Sequence, residues 1–399
     1  MSHPGGPKGG ITRDEGLARI RLIRSPNIGP VTYGQLLRRF GDARSALDAL
    51  PDLAARGNGR GAGKARMSYR AADPGAIEAE IRAVRAAGAR YIFHDSPDYP
   101  ALLRQVDAAP PVLIARGRAD LSSAAPVAMV GARNASAGAM RLAREMAGAL
   151  AEAGYPVVSG LARGVDAAAH QGALNGRAEG EGAASTIAVI AGGIDIAYPP
   201  EHAALQERIA QEGLLLTEAP PGTEPTRRHF PARNRIIAGI AAGTVVVEAA
   251  FRSGSLITAR LAGEYGREVM AVPGSPLDPR SHGCNEMIRE GAILIQRAQD
   301  IIELVASFEG TPRSHFHEES RGASDALDGE NRPEPQRVEE GGVEAHDKLT
   351  ALLGLAPVSV DEIVRQSGLS AAQVQMALIE LELTGAINRH AGGRVSRAV

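Results

Sequence analysis

Between residues 127 and 275 one pattern recurs: a short run without polar residues, a glycine-bearing turn, then a stretch with helical spacing. Val127-Ala-Met-Val-Gly-Ala-Arg133, Pro156-Val-Val-Ser-Gly-Leu-Ala-Arg163-Gly164, Ile187-Ala-Val-Ile-Ala-Gly-Gly193 and Thr244-Val-Val-Val-Glu-Ala249 with Ser253-Gly-Ser255 all follow it. Runs that are apolar at every position, rather than at alternate ones, predict strands covered on both faces, as in a parallel sheet between helix layers. Further strands are expected at Gly213–Glu218, Glu268–Val272 and Ala292–Ile295, and a closing helix at Asp300–Val305. In such a sheet the turns gather at the carboxyl edge, where open α/β folds bind ligands. Glycine lets a ligand approach the backbone there, and helix N-termini offer N–H groups to anions. The fold class is therefore α/β: an extended Rossmann-like, doubly wound, mostly parallel sheet.

The pattern changes on both sides of this region. Leu17, Ile20, Ile23 and then Val31, Leu36, Leu37, Phe40 have helical spacing and predict a small N-terminal helical domain over 11–70. Between these runs, Asn27-Ile-Gly-Pro30 resembles the hairpin of helix-hairpin-helix units, whose backbone amides can hold a DNA phosphate; packing alone accounts for it equally well. A connecting segment with one short strand occupies 71–117, and the main domain 118–308. Residues 309–342 are rich in Pro, Gly and charge without apolar periodicity, and are expected to be a disordered linker. The tail, 343–399, runs helix, helix, Gly368-Leu-Ser370 turn, helix and two short strands, the order of a winged helix. Its expected recognition helix, about Ala371–Thr384, carries Glu380 and Glu382, no Lys or Arg, and only Gln373 and Gln375 as groups suited to base edges. Protein contact is the stronger expectation for it, groove reading the weaker.

Charge changes this picture once it is localised. The chain of 399 residues has a formal net charge of −2, unpromising for a nucleic-acid binder. Residues 309–342 hold nine acidic residues against four arginines, a net −5 that leaves about +3 on the rest. This acidic segment is expected to compete with DNA for basic groups elsewhere. The basic maximum is Arg227-Arg-His-Phe-Pro-Ala-Arg-Asn-Arg235; a solvated loop is the bland account of such a run, but its place just before the helix-like stretch Ile236–Ala241, within a phosphate-type sheet, favours a binding role. Together with Arg133 and Arg163 at strand ends, where guanidinium groups fork onto phosphates, it points to phosphate as the ligand chemistry.

Other chemistries find little support. There is no G-x-x-x-x-G-K-[ST] loop for ATP hydrolysis, and Gly131-Ala-Arg133-Asn-Ala-Ser136 is not a dinucleotide fingerprint. His170, His202, His229 and the single cysteine, Cys284, lack metal-ligand spacing. No metal, cofactor or catalytic residue is expected; Glu248, at a strand end, is the one carboxylate placed to be considered. Asp166 is read as an N-cap for a helix beginning at Ala167. His170 is read as a packing residue, and Cys284 as a small buried apolar group. The absence of an 18-residue apolar run and of a signal-peptide core in Met1–Gly10 makes a cytoplasmic protein without a membrane span the expectation.

Six of these stretches, in this order, resemble the DNA-processing protein A family (DprA, also called Smf), bacterial mediators of recombination. They are Val130-Gly-Ala-Arg133, Ser159-Gly-Leu-Ala-Arg-Gly-Val-Asp166, Phe230-Pro-Ala-Arg-Asn-Arg235, Gly254-Ser-Leu-Ile-Thr258, Val272-Pro-Gly274, and Gly283-Cys-Asn285 with Glu290-Gly-Ala292. The match is strong over about 90–305. The resemblance implies sequence-independent binding of single-stranded DNA, a homodimer, and loading of a RecA-type recombinase in natural transformation or DNA recombination, without enzymatic activity. It implies a DNA-binding set of Arg133; Ser159, Gly160 and Arg163; Phe230, Arg233, Asn234 and Arg235; and Gly254 with Ser255. Some members carry a lysine near Tyr198-Pro-Pro200 that aids DNA binding, and Pro200 stands in that region here.

Aromatic residues make up only 3% of the chain and tryptophan is absent, so Phe230 and Tyr198 would supply most base stacking. Binding dominated by phosphate contacts, with steep salt dependence, is the expectation. Two other readings remain open. One is a Rossmann-like nucleotide phosphoribohydrolase, although its Pro-Gly-Gly-x-Gly-Thr loop is not intact here. The other is a duplex-DNA regulator acting through the winged helix.

Overall fold

The computed structural model describes residues 11–57, 70–122, 125–176, 185–308, 346, 348–350, 352–354, 357–390 and 392–398. The expected linker over 309–342 lies outside the described residues. The chain divides into two compact units, Ala79–Ser324 and a second built from Met1–Glu78 with Asp325–Val399.

The first unit is a nine-stranded sheet. Its strands are β1 (Arg90–Phe93), β2 (Val112–Gly117), β3 (Val127–Val130), β4 (Val157–Ser159), β5 (Thr186–Val189), β6 (Leu214–Thr217), β7 (Gly243–Val246), β8 (Glu268–Ala271) and β9 (Ile293–Leu294). Their spatial order is β1-β2-β6-β5-β4-β3-β7-β8-β9. The last seven in that order are parallel, and β2 joins β6 antiparallel. From β3 the chain winds outward through β4, β5 and β6, then returns to the far side of β3 as β7. This reversal makes a topological switch point between β3 and β7, the crevice where such sheets place their ligands.

The apolar runs work as their pattern predicts. Along β3, Ala128 and Val130 enter one core while Val127 and Met129 enter the other. The first core is covered by the helices His229–Ile240 and Gly254–Glu264, the second by Ala137–Glu152, Val165–Asn175 and Ala298–Ala306. With alternate side chains buried on opposite faces, no position on the strand tolerates a charge.

The second unit joins the two ends of the chain. Helices Arg13–Ile23, Pro30–Phe40 and Ala43–Gly57 come from the N-terminal segment. The C-terminal segment supplies helices Val360–Ser367 and Ala371–Leu383 and a three-stranded antiparallel sheet of Val358–Ser359, Arg394–Arg397 and Ile387–His390. Ser370 caps the recognition helix in a reciprocal bond with Gln373. Among the described residues no helix is long and apolar enough to cross a membrane.

Candidate nucleic-acid interface

The turns after β3, β4 and β5 meet at the carboxyl edge beside the switch point. Two contacts lock the first two of these turns together. Gly164, with φ +76°, lies against the Arg133 turn so closely that a Cβ would sit 2.2 Å from the Ala132 carbonyl oxygen. Val165 N–H also donates to that oxygen at 3.3 Å. The turns bearing Arg133 and Arg163 are thus held at a fixed separation by backbone contacts that only glycine permits at position 164.

Only Arg227 and Arg228 of the basic run lie in a turn. The helix starts at His229, so Arg233, Asn234 and Arg235 are helical rather than preceding the helix at Ile236. Pro231 sits in the first turn, where its missing N–H costs no intrahelical bond. The consequence is that the three polar residues diverge at helical spacing instead of forming one strip.

Phe230 is the centre of the site. The Arg133 guanidinium lies over its ring at 5.0 Å from the centroid, and the Tyr198 ring packs on it at 5.7 Å, tilted by 51°. Arg133 and Tyr198 are exposed, so a cation and an aromatic edge face solvent together. Below them lies Arg233, only 5% exposed, donating Nη1 to the Val189 carbonyl at 2.7 Å. Gly160 makes room for it: a Cβ there would fall 1.7 Å from Arg233 Nη1. Arg163 is exposed at the rim, ion-paired with Glu201.

Beneath the cleft is a buried polar chain. Burial pushes the Arg233 guanidinium down to about 10, against the opposing pull of Asp166. Burial raises Asp166, while Arg233 and the Ala162 N–H, 3.3 Å away, hold its charged form. Asp166 stands inside the helix Val165–Asn175, after Gly164 at the N-cap position, so it is not the cap that the sequence indicates. His170, fully buried, is pushed down to about 3 by desolvation first and then by Arg233 and His202. Its Nε2 accepts from Leu161 N–H, and its Nδ1 lies 2.6 Å from Thr186 Oγ1, whose proton goes to the Val157 carbonyl. Only the neutral Nδ1–H tautomer satisfies all three bonds.

Of the sequence-predicted residues, Arg133, Gly160, Arg163, Phe230 and Arg233 line one cleft. Ser159 lies beneath it, fully buried, its hydroxyl donated to the Met129 carbonyl. Asn234 reaches the Gly254 carbonyl at 3.4 Å and so joins two helices beside the cleft. Ser255 is buried with its hydroxyl 2.8 Å from that of Ser253. Arg235 donates to the Ala108 carbonyl at 2.8 Å and pairs with Glu218. Glu248 accepts from Ser136 N–H at 3.1 Å and from its hydroxyl at 2.7 Å, which fixes it at the start of a helix as a buried structural group. Sequence reasoning missed Ile196 and Pro225 in the cleft wall and Glu201 on its rim. The adjacent Tyr198-Pro199 pair was the one available signal for that wall.

Residues 90–306 match the model of the DNA recombination-mediator protein A family. Residues 13–83 match a DprA-like N-terminal HHH domain, and 333–393 a DprA winged helix domain. A putative DNA processing protein DprA of Mycobacterium tuberculosis is 40% identical over 336 residues, covering 81% of this chain and 79% of that one. Protein Smf of a Synechocystis species is 36% identical over 329 residues, 77% of this chain and 80% of its own. The X-ray structure of DNA processing protein A from Streptococcus pneumoniae superposes with a TM-score of 0.62 at 33% identity, over 75% of this chain and 99% of that chain. The chain belongs to the DNA recombination-mediator protein A family.

Proposed function

We propose that this protein binds single-stranded DNA without sequence preference at the Arg133–Phe230–Tyr198 cleft and, as a homodimer, delivers it to a RecA-type recombinase. Recombination, including that of natural transformation, is the setting this activity serves. The observation that carries the reading is the Arg133–Phe230–Tyr198 trio itself. Arg133 supplies an exposed guanidinium for a phosphate, and the Tyr198 and Phe230 rings supply faces on which any base can stack. Neither group reads a base edge, so the site selects for an unpaired, flexible strand and not for sequence. Around the trio, Gly160, Arg163 and Arg233 complete the contact surface; Ser159, Asn234, Arg235, Gly254 and Ser255 support it from beneath and beside.

The protein acts as a binder and not as an enzyme. The two buried groups that resemble an acid–base pair, Asp166 and His170, are enclosed by internal hydrogen bonds, and Glu248 is held by Ser136. Fluorescence anisotropy with labelled oligo-dT and a matched duplex tests the reading. Tight, salt-sensitive preference for the single strand, together with stimulation of recombinase filament growth, supports it. Release of free base from a nucleoside monophosphate would instead establish the phosphoribohydrolase alternative, and a preference for duplex the regulator.

A further inference from the structure

In a DNA-reading winged helix, one face of the recognition helix packs on its own domain and the other stays open for the major groove. The helix Ala371–Leu383 has no such open face. Val374, Ala377, Leu378 and Leu381 lie in the core of the winged-helix module, with Leu349, Ile363 and Val395. Ile379 and Leu383 belong to a different core, that of Leu22, Leu36, Leu47 and Leu50 from the N-terminal helices, and Met376 packs against the same cluster. Only Ala371 and Ala372, at its very start, are exposed.

Every polar side chain of the helix is also committed. Gln373 closes the cap with Ser370. Gln375 accepts from Gln35. The Oε2 of Glu380, itself buried, lies 2.8 Å from His346 Nε2. Glu382 accepts from Thr32 and, at 2.7 Å, from Arg389 Nε, whose Nη2 reaches Gln35 at 3.3 Å. On the other side of this contact is the hairpin that resembles a phosphate-binding helix-hairpin-helix turn. Asn27, in the left-handed conformation at φ 59°, donates its side-chain amide to the Leu383 carbonyl at 2.9 Å.

We propose that the recognition helix is the fourth helix of the N-terminal bundle, so that its partner is this chain's own helical segment Arg13–Gly57 and not a DNA duplex. The two motifs with the best claim to duplex DNA, the Asn27 hairpin and the winged helix, cover one another. The flanking modules then act as one body joining both chain ends, and DNA binding is left to the sheet edge. Opening the recognition helix toward a groove would expose Ile379 and Leu383 together with the leucines they cover, and would strand the Glu382 carboxylate, which costs far more than a surface rearrangement.

A cross-link in the full-length protein tests this. The pair Gln35→Cys and Gln375→Cys replaces two hydrogen-bonded side chains, and the natural Cys284 is buried. A short bismaleimide should join the pair within one chain in high yield, and the cross-linked protein should bind oligo-dT and duplex within about twofold of the untreated one. Failure to cross-link within a chain, or a large loss of DNA binding on cross-linking, would overturn the proposal. A second variant, Leu383→Asp, should sharply raise amide exchange in Pro30–Phe40 and Ala43–Leu53 while leaving oligo-dT affinity within about twofold. Unchanged protection of those two helices would equally overturn it.

Discussion

The guanidinium of Arg133 stands over the ring of Phe230, 5.0 Å from its centroid, although the two residues are 97 positions apart. Their turns come from opposite halves of the sheet's winding, and the contact forms because the switch point brings the β3 turn beneath the start of the helix that opens at His229. A cation held over an aromatic ring is stabilised by the ring quadrupole, and under the proposed function the same guanidinium would be offered to a phosphate. The two residues should therefore separate experimentally.

Replacing Arg133 by Ala should weaken oligo-dT binding at least tenfold at low salt and reduce the slope of log affinity against log salt by about 0.7, the contribution of one released counterion on a single strand. Phe230→Ala removes a stacking face worth about 1–3 kcal/mol and should weaken binding with the salt slope nearly unchanged. Anisotropy titrations at four salt concentrations distinguish the two; equal slopes for both variants would refute the division of labour.

Under the proposed function, Glu201 would compete with DNA for Arg163, with which it is ion-paired. Both side chains are more than 40% exposed, so their ion pair contributes little to stability and yields easily to a phosphate. Glu201→Ala should tighten oligo-dT binding about two- to threefold at low salt, with the gain disappearing as salt rises. A loss of affinity would mean that Glu201 positions Arg163 for DNA rather than restraining it.

Gly160→Ala should be destabilising well beyond an ordinary glycine substitution. The added methyl would collide with Arg233 Nη1, which is hydrogen-bonded to Val189 and attracted electrostatically by Asp166, and cannot swing into solvent without losing both interactions. We expect a loss of about 1–3 kcal/mol by urea unfolding, accompanied by weaker DNA binding. Wild-type stability would show that Arg233 has an alternative seat.

His170 sets an acid limit. It is neutral in the fold, with its value pushed from 6.5 down to about 3, whereas in the unfolded chain it protonates near 6.5. The unfolded state therefore binds the proton first: the contribution of His170 is complete above pH 6.5 and is lost progressively between pH 6.5 and about 3. His170→Gln, which can keep both hydrogen bonds without titrating, should flatten the stability profile over that window. An unchanged profile in chemical denaturation would place the acid sensitivity elsewhere.

Much of this was legible along the chain. Glycine-bearing turns after short, fully apolar runs suit strands buried on both faces, so the parallel sheet and the edge that collects its turns followed from local pattern. Arg133 and Arg163 were legible for the same reason, since each sits in the turn after a strand; Phe230 was legible only through the family resemblance and the scarcity of aromatic residues. The extent of the helix at 229 was not, because Arg-Arg-His-Phe-Pro has the composition of a loop and only packing on the sheet makes it helical.

What the sequence by itself determined is the set of elements, their order and the basic, glycine-rich chemistry of the turns, because these depend on residues near one another in the chain. The tertiary structure alone decided which side chains remain free to act. Arg133, Arg163, Arg233 and Arg235 carry the same charge, yet one lies exposed on an aromatic face, one is paired at the rim, one is buried against Gly160, and one is tied to Glu218. Likewise the recognition helix reads as an ordinary winged-helix element until its second apolar face meets Leu36 and Leu50, more than 300 residues away. A side chain's availability depends on partners that long-range packing selects, and no local pattern specifies them.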